Sequence, residues 1–142
     1  MYSSIWINLY NNVFFNEVCT LLNGILDKES KSIIDCEIYS PPKRDYYKAK
    51  RTLKNLLKSN PIQFRIRYYK KRKNINIDLS DYNDYLQSDC IAIFFLVDGG
   101  EIEIYAKSER VLLCIFDCLR KFYNLDCTLV NEGEDGRNSF IL

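Results

Sequence analysis

The chain contains no histidine. This removes the one side chain whose ordinary pKa suits proton transfer near neutrality, and with it the Ser-His, Cys-His and His-metal constellations. The groups left for chemistry are carboxylates, lysines, tyrosines and six cysteines: Cys19, Cys36, Cys90, Cys114, Cys118 and Cys127. Cys114 and Cys118 are four residues apart, so on a helix their thiols share one side, and Cys36, Cys90 or Cys127 could complete a zinc set with them. Yet the C-x-x-C pairs of loop zinc sites are absent, and thiols are among the most often buried side chains. Reduced cysteines packed in a core, with no metal, are therefore expected. No histidine stands by to activate a thiolate. With five glycines there is no G-x-G-x-x-G and no phosphate-binding loop. An enzyme working through a cysteine and a carboxylate, such as Cys36 and Asp84, ranks last; neither a catalytic residue nor a cofactor is expected.

The charges are more informative. Thirteen of the twenty basic residues lie between Lys43 and Lys73, where Asp45 is the one acid; seven bases and eighteen acids make up the rest. A net charge of +1 thus hides a segment of about +12 and a remainder of about −11, an asymmetry of the kind that reports on partners. Asp78, Asp81, Asp84 and Asp89 form an acidic stretch that includes Tyr82 and Tyr85, and Glu132, Glu134 and Asp135 form an acidic turn near the C-terminus. The calcium-loop pattern is missing. A solvated acidic loop is the ordinary reading. The sharper one is a docking surface for a cationic protein, with acids steering association and the tyrosines as rigid anchors. The basic segment admits a nucleic-acid reading instead. Arg65, Arg67 and Tyr69 would lie on the open face of a strand, with Lys70, Lys71, Arg72 and Lys73 in a loop, offering phosphate contacts and a stacking ring. The RNA-recognition signature is absent, and the acidic remainder would repel a polyanion. The bases could also simply pair with acids of their own domain.

The elements that must position these residues follow from periodicity. Cys90 to Val97 is continuously apolar, as in a strand covered on both faces. Asp98-Gly99-Gly100 is a hairpin turn, and beyond it Ile102, Ile104 and Ala106 alternate with Glu101, Glu103 and Tyr105 as a half-exposed partner strand. Ser108 caps a helix from Glu109 to Tyr123, with Glu109 at its start and Arg120 and Lys121 at its end. Asn124 closes it, and Cys127 to Val130 reads as a returning strand. Earlier, Ile5 to Tyr10 is a first strand, Asn12 to Leu26 a helix weakened at Gly24, and Ile34 to Tyr39 a strand stopped by Pro41 and Pro42. Asp45 to Lys58 suits a basic helix. Ile62 to Tyr69 is a strand whose cationic and aromatic face points outward, and Ile75, Ile77 and Leu79 suggest a strand pairing back on it. Asp78 to Asp89 holds one helical turn, and Ser139 to Leu142 could add an edge strand.

Together these predict a single α+β domain over residues 1–142, with a mixed, mainly antiparallel sheet and two or three helices packed on it. A parallel first and second strand would require a right-handed crossover, and a split βαβ plan is the nearest analogy. The apolar and aromatic content, 47% and 14%, is too high for disorder, and no apolar run reaches the roughly 20 residues of a membrane span. Met1 to Trp6 lacks a basic stretch before its apolar residues, so a cytoplasmic protein is expected.

In general character, rather than in any motif, the whole chain resembles the small bacterial immunity proteins of contact-dependent inhibition and other polymorphic toxin systems. It shares their compactness, their lack of a catalytic constellation, and a composition rich in Ile, Asn, Lys, Tyr and Phe that is typical of AT-rich coding DNA. The resemblance implies a cognate protein toxin as partner, cationic and in one form a nuclease, whose cleft the acids around Asp78 to Asp89 and Glu132 to Asp135 would occlude. That surface would have to exclude the segment from Lys43 to Lys73.

Overall fold

The structure, a computed structural model, describes residues 1–8, 24, 33–40, 43–47, 63–69, 79–97, 101–123 and 127–132. Seven strands form one sheet: β1 (Tyr2–Asn8), β2 (Ile33–Ser40), β3 (Lys43–Tyr47), β4 (Gln63–Tyr69), β5 (Cys90–Val97), β6 (Glu101–Ala106) and β7 (Cys127–Asn131), in the order β3-β2-β4-β5-β6-β1-β7. Two helices lie wholly within the described residues, α1 (Tyr82–Gln87) and α2 (Glu109–Tyr123). The α+β class is as the sequence predicts. Every pairing between the described strands is antiparallel, so the sheet is not mixed. β1 and β2 do run in the same direction, but with β6, β5 and β4 between them. The expected hairpin, helix and strand unit is present with one change. β7 pairs with β1, which lies between β6 and β7, so β6, α2 and β7 make a split βαβ unit.

β5 explains why both faces must be covered. Ala92, Phe94 and Leu96 point to one side and Ile93 and Phe95 to the other, and all are fully buried. On the first face the apolar stripe of α2, Val111, Leu112, Ile115 and Leu119, packs over Ile5, Ile7, Ile102, Ile104 and the tilted pair Phe64 and Phe94, whose ring centroids are 5.0 Å apart. Ser108 caps α2 as expected, its Oγ accepting from Val111 N at 3.3 Å and its carbonyl from Leu112 N at 3.0 Å. The second face holds a separate core of Tyr69, Leu79, Tyr85, Cys90, Ile93, Phe95 and Tyr105.

Cys90 reaches that second core only through an irregularity. Tyr68 pairs with Ala92 but Tyr69 with Cys90, so Ile91 is an extra residue on β5. Such a bulge breaks strict alternation. It sends Cys90 to the face of Ile93 while Ile91 packs partly buried against the first core.

Several expectations need correction. The face of β4 carrying Arg65, Arg67 and Tyr69 is not open: all three are buried, and Tyr69 belongs to the same core as Leu79 and Tyr85. Arg65 is matched by a carboxylate, its guanidinium 3.2 Å from Glu37 on the neighbouring strand. β6 is likewise not half-exposed. Glu101 is exposed, but Glu103 and Tyr105 are buried, Tyr105 against the rings of Tyr82 and Tyr85. Asp45 to Tyr47 is strand, not the start of a helix. The two prolines end β2 but leave only residues 41 and 42 before β3, which pairs straight back from Ser40 opposite Lys43, and Tyr46 and Tyr47 suit an extended chain. Leu79 is buried but lies in no strand. Residues 48–58 and 75–78 of the predicted helix and strand lie outside the described residues. So do the turn at 98–100, the helix of 12–26 save the helical and exposed Gly24, Asn124 and the segment 139–142.

No helix among the described residues is long and apolar enough to cross a membrane. The buried pair of Glu37 and Arg65 generates a prediction. Glu37→Leu removes the carboxylate facing a buried guanidinium and should cost about 3–5 kcal/mol in urea unfolding. Adding Arg65→Met should recover most of that loss; a single variant as stable as the parent would refute the pair's place in the fold.

Candidate protein-binding surface

The acidic stretch folds by using its own acids. Asp81 is the N-cap of α1, its Oδ1 accepting from Asp84 N at 2.8 Å, and Asp84 Oδ2 accepts from Ser80 N at 3.1 Å. Asp81 thus satisfies one of the amide donors that a helix start leaves unpartnered, and Asp84 ties back to the residue before the cap. At the other end Ser88 closes the helix: its Oγ donates to the Tyr85 carbonyl at 2.7 Å and accepts from Cys90 N at 3.1 Å. A six-residue helix has little stability of its own. Packing and these ties hold it.

Tyr85 supplies most of the packing. Its ring is buried, edge-on to Tyr105 at 6.4 Å and tilted against Tyr82 at 5.8 Å. Its Oη donates to the carbonyl of the bulge residue Ile91 at 3.3 Å, which also accepts from Lys107 N at 3.0 Å. Lys107 lies 5.3 Å from the Tyr85 ring centroid, and its Nζ donates to the Ser88 carbonyl. Burial lowers the Lys107 pKa, while Cys90 and Asp89 nearby act to raise it.

The second acidic segment meets the first through Tyr82. This ring is half-buried, 6.3 Å from Tyr105, and its Oη donates to Glu132 Oε1 at 3.1 Å. Glu132 follows β7, and its amide donates to the Met1 carbonyl at 3.1 Å. The amide of Tyr2 in turn donates to Glu109 Oε2 at 2.8 Å. Asp81, Asp84, Tyr82, Glu132 and Glu109 therefore belong to one region of surface, linked through the chain's first residues. Exposed apolar side chains occur on the same elements, Leu86 on α1 and Tyr2 and Trp6 on β1.

Of the residues predicted to contact a partner, Asp81, Tyr82, Asp84 and Glu132 are brought together. Asp89 is half-buried beside Lys107. Tyr85 is the correction: as a buried core ring it positions α1 and offers no anchor to a partner. Asp78, Glu134 and Asp135 lie outside the described residues, as do Lys70, Lys71, Arg72 and Lys73. Met1, Tyr2 and Glu109 were missed by sequence reasoning. Their meeting depends on β1 entering between β6 and β7, which no local pattern signals.

The cysteines divide into two kinds. None of the four described is in a disulfide. Cys90 is buried, and desolvation pushes its thiol up to about 12, with Arg67 opposing. Cys114 is exposed and Cys118 half-exposed, contrary to the expected core packing, because the stripe of Val111, Ile115 and Leu119 already fills the covered side of α2. Burial and then the neighbouring Cys114 thiol raise the Cys118 pKa.

An alkaline-stability prediction follows from the second core. The Cys90 thiol ionises near 9.0 when unfolded but stays protonated to about 12 when folded. Between these values the unfolded state binds fewer protons, so stability is full below about pH 9 and falls as pH rises, by about 2 kcal/mol at about pH 10.5. Burial raises the Tyr85 phenol above 10.0 and adds a loss of the same sign; the lowered Lys107 pKa opposes both. Urea titrations at about pH 8 and about pH 10.5 should show the loss, and Cys90→Ala should shrink it. An unchanged slope in Cys90→Ala would contradict this origin.

The family model described as Protein of unknown function (DUF2691) matches residues 25–141. No curated protein and no solved structure matches the chain.

Proposed function

We propose, from the premise that this chain belongs to the family described as Protein of unknown function (DUF2691), that it is a non-catalytic binding protein. It engages a cationic protein through α1 and the end of β7, in the manner of an immunity protein that binds a cognate bacterial toxin, such as a nuclease, and blocks its active site. The observation that carries this reading is the hydrogen bond from Tyr82 Oη to Glu132 Oε1. It joins two acidic segments fifty residues apart in sequence into one surface.

Sheet order supports the same reading. β3, which carries Lys43 and Arg44, and β7, which leads to Glu132, are the two outer strands. Six strand spacings separate them, about 29 Å, well beyond a Debye length of about 8 Å at physiological salt. A cationic partner arriving at the acidic edge is screened from Lys43 and Arg44. The nucleic-acid reading is weakened, since Arg65, Arg67 and Tyr69 are buried and Arg65 already faces Glu37.

The test is a pull-down of the tagged protein from its native cell extract, with and without nuclease and at high salt, read by mass spectrometry. One stoichiometric protein partner that survives both treatments is expected. Glu132→Lys, still folded by thermal melt, should then weaken that complex about ten-fold, equivalent to about 1.4 kcal/mol. Recovery of nucleic acid that is lost on nuclease treatment would overturn the proposal.

A further inference from the structure

Cys114 and Cys118 lie one turn apart on α2, so they share a side of that helix. Cys114 is exposed and Cys118 half-exposed, and Cys114 is near enough to act on the ionisation of Cys118. Asp117 and Lys121 both lie close enough to act on Cys118, with opposite signs, and Arg110 stands one turn before Cys114 on the same row. Neither thiol fills the core, which Val111, Ile115 and Leu119 already occupy on this helix. Among the described residues no group of three or more His, Cys, Asp or Glu side chains is gathered to hold a metal ion. A tetrahedral zinc site needs four ligands. Two adjacent thiols instead suit a soft ion content with two sulfur ligands, and thiolate softness selects monovalent copper.

We infer that Cys114 and Cys118 form a two-thiol binding site for a soft monovalent cation, Cu(I), on the outer side of α2. Each thiol gives up its proton to solvent as its sulfur bonds the ion, so one Cu(I) and two thiols yield one bis-thiolate complex and two protons, with no change of oxidation state. The complex carries one negative charge, and Lys121 is the cation that acts on Cys118. The site is separate from the acidic surface of α1 and β7 and does not depend on the partner proposed there.

The full-length protein, reduced and free of oxygen, is titrated with Cu(I) supplied as its acetonitrile complex against a chromogenic Cu(I) chelator. The parent protein and Cys127→Ser should each withhold one equivalent, and Cys114→Ser and Cys118→Ser none. Both altered positions are on the outer side of α2, so their melting curves should match the parent's. As a second readout, phenylarsine oxide bonds two neighbouring thiols with loss of one water, and intact mass should show one such adduct on the parent and none on either single variant. Copper surrendered entirely by the parent protein would overturn the site, and so would copper retained by Cys114→Ser or Cys118→Ser. Loss of copper in Cys127→Ser would show a third ligand and overturn the two-thiol set.

Discussion

The burial of Tyr85 against the second face of the sheet is the contact on which the rest of the acidic surface depends. Six residues of helix would not persist alone in water. Here the ring sits among Tyr82, Tyr105, Phe95 and Cys90, and its hydroxyl finds the one carbonyl that the bulge at Ile91 offers to that side. Fixing Tyr85 fixes Tyr82 three residues earlier on the helix, and Tyr82 then reaches Glu132. A local defect in β5 thus governs which acids end up side by side. Asp81 and Asp84 spend part of their hydrogen-bonding capacity on the helix start and still present charge to solvent.

The same face carries a second constraint. Glu37, Arg65, Arg67 and Glu103 are buried there alongside apolar rings. Desolvated charges need close opposite charges and hydrogen bonds, or they destabilise the fold. The Glu37 and Arg65 pair meets this across β2 and β4. Part of the basic segment, Arg65 through its pairing with Glu37, is therefore committed to structure. Among the described residues, Lys43 and Arg44 lie on the outer strand β3 and Glu132 follows the opposite outer strand β7.

Much of this architecture was legible in the residues themselves. The unbroken apolar run from Cys90 to Val97 announced a strand covered twice, and Ser108 and the spacing from Val111 to Leu119 announced the capped helix above it. Those signals are local, and local signals survived. Others depended on what the rest of the chain would bring. Arg65, Arg67, Glu103 and Tyr105 alternate with apolar neighbours as solvent-facing residues do, yet all four are buried. Pro41 and Pro42 looked like the end of a sheet segment, yet they separate two strands that pair. Tyr82 and Tyr85 looked equivalent; one is a half-buried surface ring and the other a core residue, and the difference is set by the direction in which six residues of helix lie on the sheet. In the acidic surface, Asp81, Asp84 and Glu132 could be named from charge alone. Their connection through Met1 and Tyr2 to Glu109 could not, because it requires β1 to enter the sheet between β6 and β7.

The claim that most needs testing is that α1 and the end of β7 act as one binding surface. Amide hydrogen exchange of the protein, alone and in complex with the partner it captures, tests this directly. Slowed exchange is expected in residues 80–89 and 127–132 together, with little change in residues 33–40 and 43–47. Protection of the β2 and β3 edge, with residues 80–89 unchanged, would contradict it.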